Sequence, residues 1–119
     1  MSERFTVQST TDEANGTTIR LQGDLDLAAD AALADAYAAA TATNPSRVVL
    51  DFTGVGYINS TGIALVVRLL AEARRDHRKM FAVGLSDHYQ EIFRLTRLSD
   101  YVTMVDSVAS APETSAAWR

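Results

Sequence analysis

Residues 48–50 read Val-Val-Leu, and Phe52 follows two positions later. A continuous β-branched and apolar run of this kind fits a strand buried on both faces, the pattern of a parallel strand inside an α/β sheet. The segments around it agree. Residues from Ala28 to about Ala42 are mostly alanine, the best helix former, with Leu33, Tyr37 and Ala40 on one stripe. Asn44-Pro45 closes that helix, because proline cannot extend the hydrogen-bond ladder. After the strand, Gly54-Val55-Gly56 reads as a loop, and a second helix runs from Asn59-Ser60-Thr61-Gly62 to about Asp76.

The rest of the chain repeats the alternation. Phe5 and Val7 alternate with polar residues and predict a short edge strand. Asn15-Gly16, a tight-turn dipeptide, leads into a returning strand carrying Ile19 and Leu21. Asp26 stands where it can cap the alanine helix. Phe81-Ala82-Val83 predicts another buried strand, and Ser86 or Asp87 caps a third helix with Tyr89, Ile92, Phe93 and Thr96 on one face. Val102 to Val105 is a last short strand. The order β-β-α-β-α-β-α-β implies a mixed, mostly parallel sheet opened by a hairpin, with packed crossover helices. No repeat or domain boundary interrupts it. The expectation is a single α/β domain over residues 1–119, with its core at about 5–106. The tail 107–119 reads as a weak final helix or a frayed end, in which Trp118 has no assigned role.

Composition narrows the function. With 47% hydrophobic residues the chain can build a core. It has no cysteine, which removes disulfides, zinc-thiolate sites and thiol nucleophiles. A formal net charge of −4 argues against a nucleic-acid binder, which usually shows a basic patch. The run Arg74-Arg75-Asp76-His77-Arg78-Lys79 reads as a solvated helix end. Ile63 to Leu70, the most apolar stretch, is too short to cross a bilayer, and Met1-Ser2-Glu3-Arg4 carries no signal-peptide pattern. The expectation is a cytoplasmic protein.

The chemistry concentrates at Asn59-Ser60-Thr61-Gly62. Ser and Asn are good helix caps, yet more polar groups crowd this helix start than capping needs. The helix that follows has more apolar surface than one stripe requires. At 100° per residue, Ile63, Val66, Val67, Leu70 and Ala73 form a core stripe, while Leu65 and Leu69 lie well round from it, near Arg68 and Glu72. Either another element covers those two leucines, or they form an exposed patch that docks a partner. A phosphate on Ser60 would carry roughly −1.5 to −2 charges at the positive end of the helix dipole. It would leave the fold intact and place hydrated charge beside a docking face.

Catalysis reads poorly. A serine nucleophile needs a base within hydrogen-bond reach, and only His77 and His88 exist, both expected at the surface. Ile58 stands where a nucleophile elbow needs glycine. Gly54 and Gly56 begin a dinucleotide fingerprint that fails at Asn59, and no P-loop is present. Asp24, Asp26, Asp30 and Asp35 could suggest a metal site, but helix-start carboxylates explain most of them more simply. No enzyme activity, cofactor or metal is expected.

These residues together resemble the STAS domain (sulfate transporter and anti-sigma factor antagonist). Leu21-Gln22-Gly23-Asp24-Leu25-Asp26 is similar to the family's "L-x-G-E-L-D". Val48-Val49-Leu50-Asp51-Phe52 with Val55 and Tyr57-Ile58 is similar to its central strand. Asn59-Ser60-Thr61-Gly62-Ile63 is similar to its "D-S-[ST]-G-[LI]", and Ile92-Phe93 with Leu98 to its "L-F-x-x-x-x-L". The resemblance spans about Phe5 to Val105. It implies an anti-sigma factor antagonist whose first hydroxyl, here Ser60 with Thr61 as the alternative, is phosphorylated by an anti-sigma factor of serine-kinase type and restored by a serine phosphatase. The unphosphorylated form would bind the anti-sigma factor and free the sigma factor. The implied partner-binding residues are Asp24, Asp26, Asn59, Ser60, Thr61, Gly62, Leu65, Arg68 and Leu69. Asn59 departs from the usual aspartate and removes a carboxylate beside the acceptor. The alternative is a STAS scaffold module of a stress-sensing or transporter-associated assembly that is not phosphorylated. A weak homodimer is compatible with either.

Overall fold

The computed structural model describes residues 5–12 and 16–105. Their order is β1 (Thr6–Asp12), β2 (Gly16–Leu25), a 3₁₀ turn (Leu27–Ala29), α1 (Asp30–Ala40), β3 (Arg47–Ile58), α2 (Ser60–Arg75), β4 (Lys79–Val83), α3 (Asp87–Leu95), a second 3₁₀ turn (Leu98–Asp100) and β5 (Thr103–Val105). The strands form one sheet in the order β1-β2-β3-β4-β5. β1 and β2 pair antiparallel, as the hairpin reading requires. The remaining pairs are parallel. The predicted α/β class and its mixed, mostly parallel sheet are therefore observed. Asn15 and the tail from Asp106, with Trp118, lie outside the described residues.

The Val48-Val49-Leu50 run behaves as its composition demands. Val48, Leu50 and Phe52 face the main core, which they share with Leu33 and Tyr37 of α1, Val66 and Leu70 of α2 and Phe93 of α3. Val49 points the other way and clusters with Phe81 and Val83. All three described helices thus pack on one face of the sheet. The Phe93 ring meets Phe52 edge-on at 6.1 Å, which pins α3 to the middle of β3.

Three expectations change. Gly54-Val55-Gly56 is not a loop: β3 continues through it to Ile58, still paired with β2. The register shifts between Arg20 and Gln22 and between Gly23 and Asp24, so the glycines accompany an irregular ladder rather than a turn. A Cβ on Gly54 would stand 2.8 Å from the Gln22 side chain. The alanine helix is also shorter than predicted. It ends at Ala40, before Asn44-Pro45, where the Thr41 hydroxyl donates to the Tyr37 carbonyl at 2.7 Å.

The third change concerns α2. Leu65 and Leu69 are buried, at 6% and 5% exposure, whereas Val67 is 44% exposed and Ile63 only partly buried. The buried arc runs through Gly62, Leu65, Val66, Leu69, Leu70 and Ala73. The arc is rotated because α2 is covered twice, by the sheet beneath and by α1 with its preceding 3₁₀ turn at the side. Arg68 forms an ion pair with Asp30 of α1. Leu65 and Leu69 therefore form no exposed apolar patch, and the first of the two alternatives is the observed one.

Leu65→Ala should destabilise the domain by about 2–5 kcal/mol, as a buried leucine does on truncation. Val67→Ala should cost less than about 1 kcal/mol. Urea unfolding of the two variants checks this, and equal effects would contradict the assigned helix face.

Candidate docking site at the start of helix α2

The site is built where β2 and β3 end side by side. Asp24 pairs in register with Tyr57 and Leu25 with Ile58. The Asn59 N–H then donates to the Leu25 carbonyl at 3.3 Å, extending the contact one residue past the strands. Asn59 caps α2 in extended geometry: its side-chain oxygen accepts from the Gly62 N–H at 2.8 Å. Its carbonyl accepts from the Ile63 N–H at 2.9 Å. The neutral amide does the capping work that an aspartate would do.

Gly62 is the tightest point. A Cβ built there would lie 2.0 Å from the Leu25 carbonyl oxygen and 2.9 Å from the Ile58 side chain. Only a hydrogen-only side chain lets the first turn of α2 sit against the end of β2. Tyr89 of α3 braces the same corner, its hydroxyl accepting from the Ile58 N–H at 2.8 Å.

This frame delivers the predicted residues to one edge, with differing exposure. Ser60, the first residue of α2, is exposed, while Thr61 is half-buried. Asp24 and Asp26 are half-buried, and the Asp26 carboxylate accepts from the Ala28 N–H at 3.0 Å, capping the 3₁₀ turn. Gly62, Leu65 and Leu69 lie beneath, and Arg68 is engaged with Asp30. Two exposed apolar side chains stand at this edge that sequence reasoning did not assign to the site: Leu27, 66% exposed in the 3₁₀ turn, and Tyr57, 56% exposed at the end of β3. An apolar residue just after the capping Asp26 was the available signal for Leu27. Nothing in the sequence marked the Tyr89 hydroxyl.

The two histidines are both exposed. His77 follows the C-terminal cap of α2, so the 16-residue helix separates it from Ser60, a length of about 24 Å at 1.5 Å per residue. His88 packs edge-on against Tyr89. The Ser60 hydroxyl makes no hydrogen bond among the described residues.

The arrangement defines a mixed α/β domain with an exposed hydroxyl at a helix start, flanked by acidic and apolar side chains. Residues 9–106 match the family described as "Mlab, STAS domain". The chain belongs to the STAS domain family. Anti-sigma-B factor antagonists of Listeria monocytogenes and Listeria innocua are each 34% identical over 53 residues, 44% of this chain. The match spans 46% of each of these relatives, about half their length. Among solved structures, an anti-sigma factor antagonist from Mycobacterium paratuberculosis superposes with a TM-score of 0.74 at 17% identity, covering 89% of both chains. The anti-sigma factor antagonist SpoIIAA in its unphosphorylated form gives 0.67 at 18% identity, covering 86% of this chain and 89% of that one. Bacillus SpoIIAA in its phosphorylated form gives 0.67 at 17% identity, covering 88% and 96%. At these identities the likeness is one of fold. Among the described residues no helix is long and apolar enough to cross a membrane.

Gly62→Ala should destabilise by about 1–3 kcal/mol, because either α2 or Leu25 must move. Asn59→Ala should lose about 1 kcal/mol of cap, whereas Asn59→Asp should hold stability because aspartate caps as well. Thermal unfolding of the three variants reads this. A neutral Gly62→Ala would mean that α2 does not abut Leu25.

Proposed function

We propose that this protein is an anti-sigma factor antagonist, a binding module without catalysis of its own, switched by phosphorylation of Ser60. The observation that carries this reading is the exposure of Ser60 at the first position of α2, on an edge that also bears Leu27 and Tyr57. Thr61, the other hydroxyl, is half-buried and less accessible to a kinase.

The physical sequence is short. Without phosphate, the partner, an anti-sigma factor of serine-kinase type, covers the edge and buries Leu27 and Tyr57. The half-buried Asp24 and Asp26 lend it a negative rim. The kinase then transfers the γ-phosphoryl group of ATP to the Ser60 oxygen, which gives up its proton as ADP leaves. The new dianion sits at the positive end of the α2 dipole, so the domain tolerates it. It is nonetheless strongly hydrated, and covering it again would require stripping that water, which is unfavourable for an unpaired charge. Binding is lost, and a serine phosphatase restores it. The setting of this exchange is the cytoplasm.

A second reading is a STAS scaffold module that is never phosphorylated. Asn59 supports it, since this position carries a neutral amide where family members usually have a carboxylate. The two readings separate on one experiment. Incubated with its anti-sigma kinase and ATP, the protein should gain one phosphate, absent in Ser60→Ala and retained in Thr61→Ala, as mapped by peptide mass spectrometry. Phosphate on Thr61 would overturn the site. Intact partner binding without phosphorylation would favour the scaffold. Leu27→Ala and Tyr57→Ala should weaken anti-sigma factor binding by about 1–2 kcal/mol each, the range of central apolar anchors, with unchanged stability.

A further inference from the structure

The other end of α2 holds a feature that the docking edge does not use. Between the C-terminus of α2 and the segment that enters β5 lies a cleft of about 430 Å³. That volume falls within the range of small-molecule sites, about 300–1,000 Å³. Arg74, His77, Arg78 and Lys79 line one side, and Ser99 and Tyr101 contribute hydroxyls from the other. The chain as a whole carries −4. The lining of this cleft, by contrast, carries the cations Arg74, Arg78 and Lys79 and one carboxylate, Asp100. The Asp100 carboxylate is held by the Arg97 guanidinium at 3.0 Å, so its charge is already answered.

The plain account of such cations is that they complement the negative end of the helix dipole. That holds for Arg74 and Arg75, in the last turn of α2. It does not account for Arg78 and Lys79, which lie beyond the helix.

Arg78 is also not a free surface cation. Its side chain is only 10% exposed, and its Nε lies 3.8 Å from the Asp76 carboxylate. Its guanidinium donates to the Pro45 carbonyl, while the Tyr37 hydroxyl donates to Asp76 at 3.2 Å. The Arg78 Nε nevertheless finds no hydrogen-bond acceptor among the described residues. Arg78 is thus fixed in place with its charge partly met by Asp76, and a fixed guanidinium offers its remaining donors to an anion in one defined geometry. Arg74 is likewise placed, its guanidinium 4.9 Å from the centre of the Tyr101 ring.

We propose that this cleft binds a small ligand bearing a multivalent phosphate group. Arg74 and Lys79 would supply charge at the mouth, Arg78 charge at the floor, and Ser99 and Tyr101 hydroxyl contacts. The ligand brings negative charge to a cleft whose lining carries three Arg/Lys cations and one carboxylate. Diphosphate is the smallest probe with this chemistry, and an organic phosphate presents the same group. The site lies a full helix length from Ser60, and its occupancy is independent of the Ser60 switch.

The test is a titration of the ¹⁵N-labelled protein with inorganic diphosphate at constant ionic strength, followed by backbone amide shifts. The site requires saturable shifts confined to residues 74–79 and 98–103, with the same result in Ser60→Ala. Arg74→Glu, an exposed position, should weaken the apparent affinity by about tenfold or more with the folded spectrum retained. Arg94→Glu, an exposed control on α3, should leave it unchanged. Diphosphate itself is the ligand type if an organic monophosphate ester competes poorly, and an organic phosphate is if the ester binds more tightly. Linear, non-saturating shifts would overturn the proposal, as would equal weakening by Arg74→Glu and Arg94→Glu.

Discussion

The approach of Gly62 to the carbonyl of Leu25 governs where everything on the working edge stands. A Cβ at position 62 would lie 2.0 Å from that oxygen, so no side chain fits. The Asn59 N–H makes its bond to the same carbonyl. One backbone oxygen at the end of β2 thereby positions both the cap and the first turn of α2. Tyr89 holds the adjoining Ile58 from α3. Ser60 is thus presented on a corner anchored to two strands and a second helix. A rigid mount suits the proposed switch, since a mobile phosphate would swing away from the surface it would have to block.

The second constraint is that the described helices share one face of the sheet. α2 is enclosed by β-sheet on one side and by α1 on another, and this removes Leu65 and Leu69 from the surface. The candidate docking edge is consequently made of segment ends rather than of a helix flank. Leu27 and Tyr57 come from the 3₁₀ turn and β3, and Ser60 from the first position of α2. This geometry gives α2 two chemically different ends. One end carries a hydroxyl among acidic and apolar groups, and the other is ringed by cations.

Much of this is legible in the sequence, for identifiable reasons. The unbroken Val48-Val49-Leu50 run is incompatible with a half-exposed strand, and it forms the centre of the sheet. The stripe of Leu33, Tyr37 and Ala40 is legible because α1 has a single buried side. The misreadings share a cause. Helical periodicity locates one apolar arc, but α2 meets two neighbours, and their bisector cannot be found from spacing alone. Gly54 and Gly56 suggest a loop because glycine signals a turn and a strand irregularity equally. At the site, Ser60, Asn59 and Asp26 stand out as capping residue types. Leu27 and Tyr57 do not, because an apolar side chain in a short segment carries no sign of whether it is covered. The Tyr89 bond to Ile58 joins residues 31 positions apart, beyond any local pattern.

In the proposed switch, phosphate on Ser60 alters the surface and leaves the fold alone. Backbone amide spectra of the phosphorylated and unphosphorylated protein, taken with a binding measurement against the anti-sigma factor, test it most directly. Shifts confined to residues 24–27 and 57–63, an unchanged unfolding midpoint and loss of binding are the predicted result. Shifts spreading into β4 and α3, or full binding by the phosphorylated form, would contradict it.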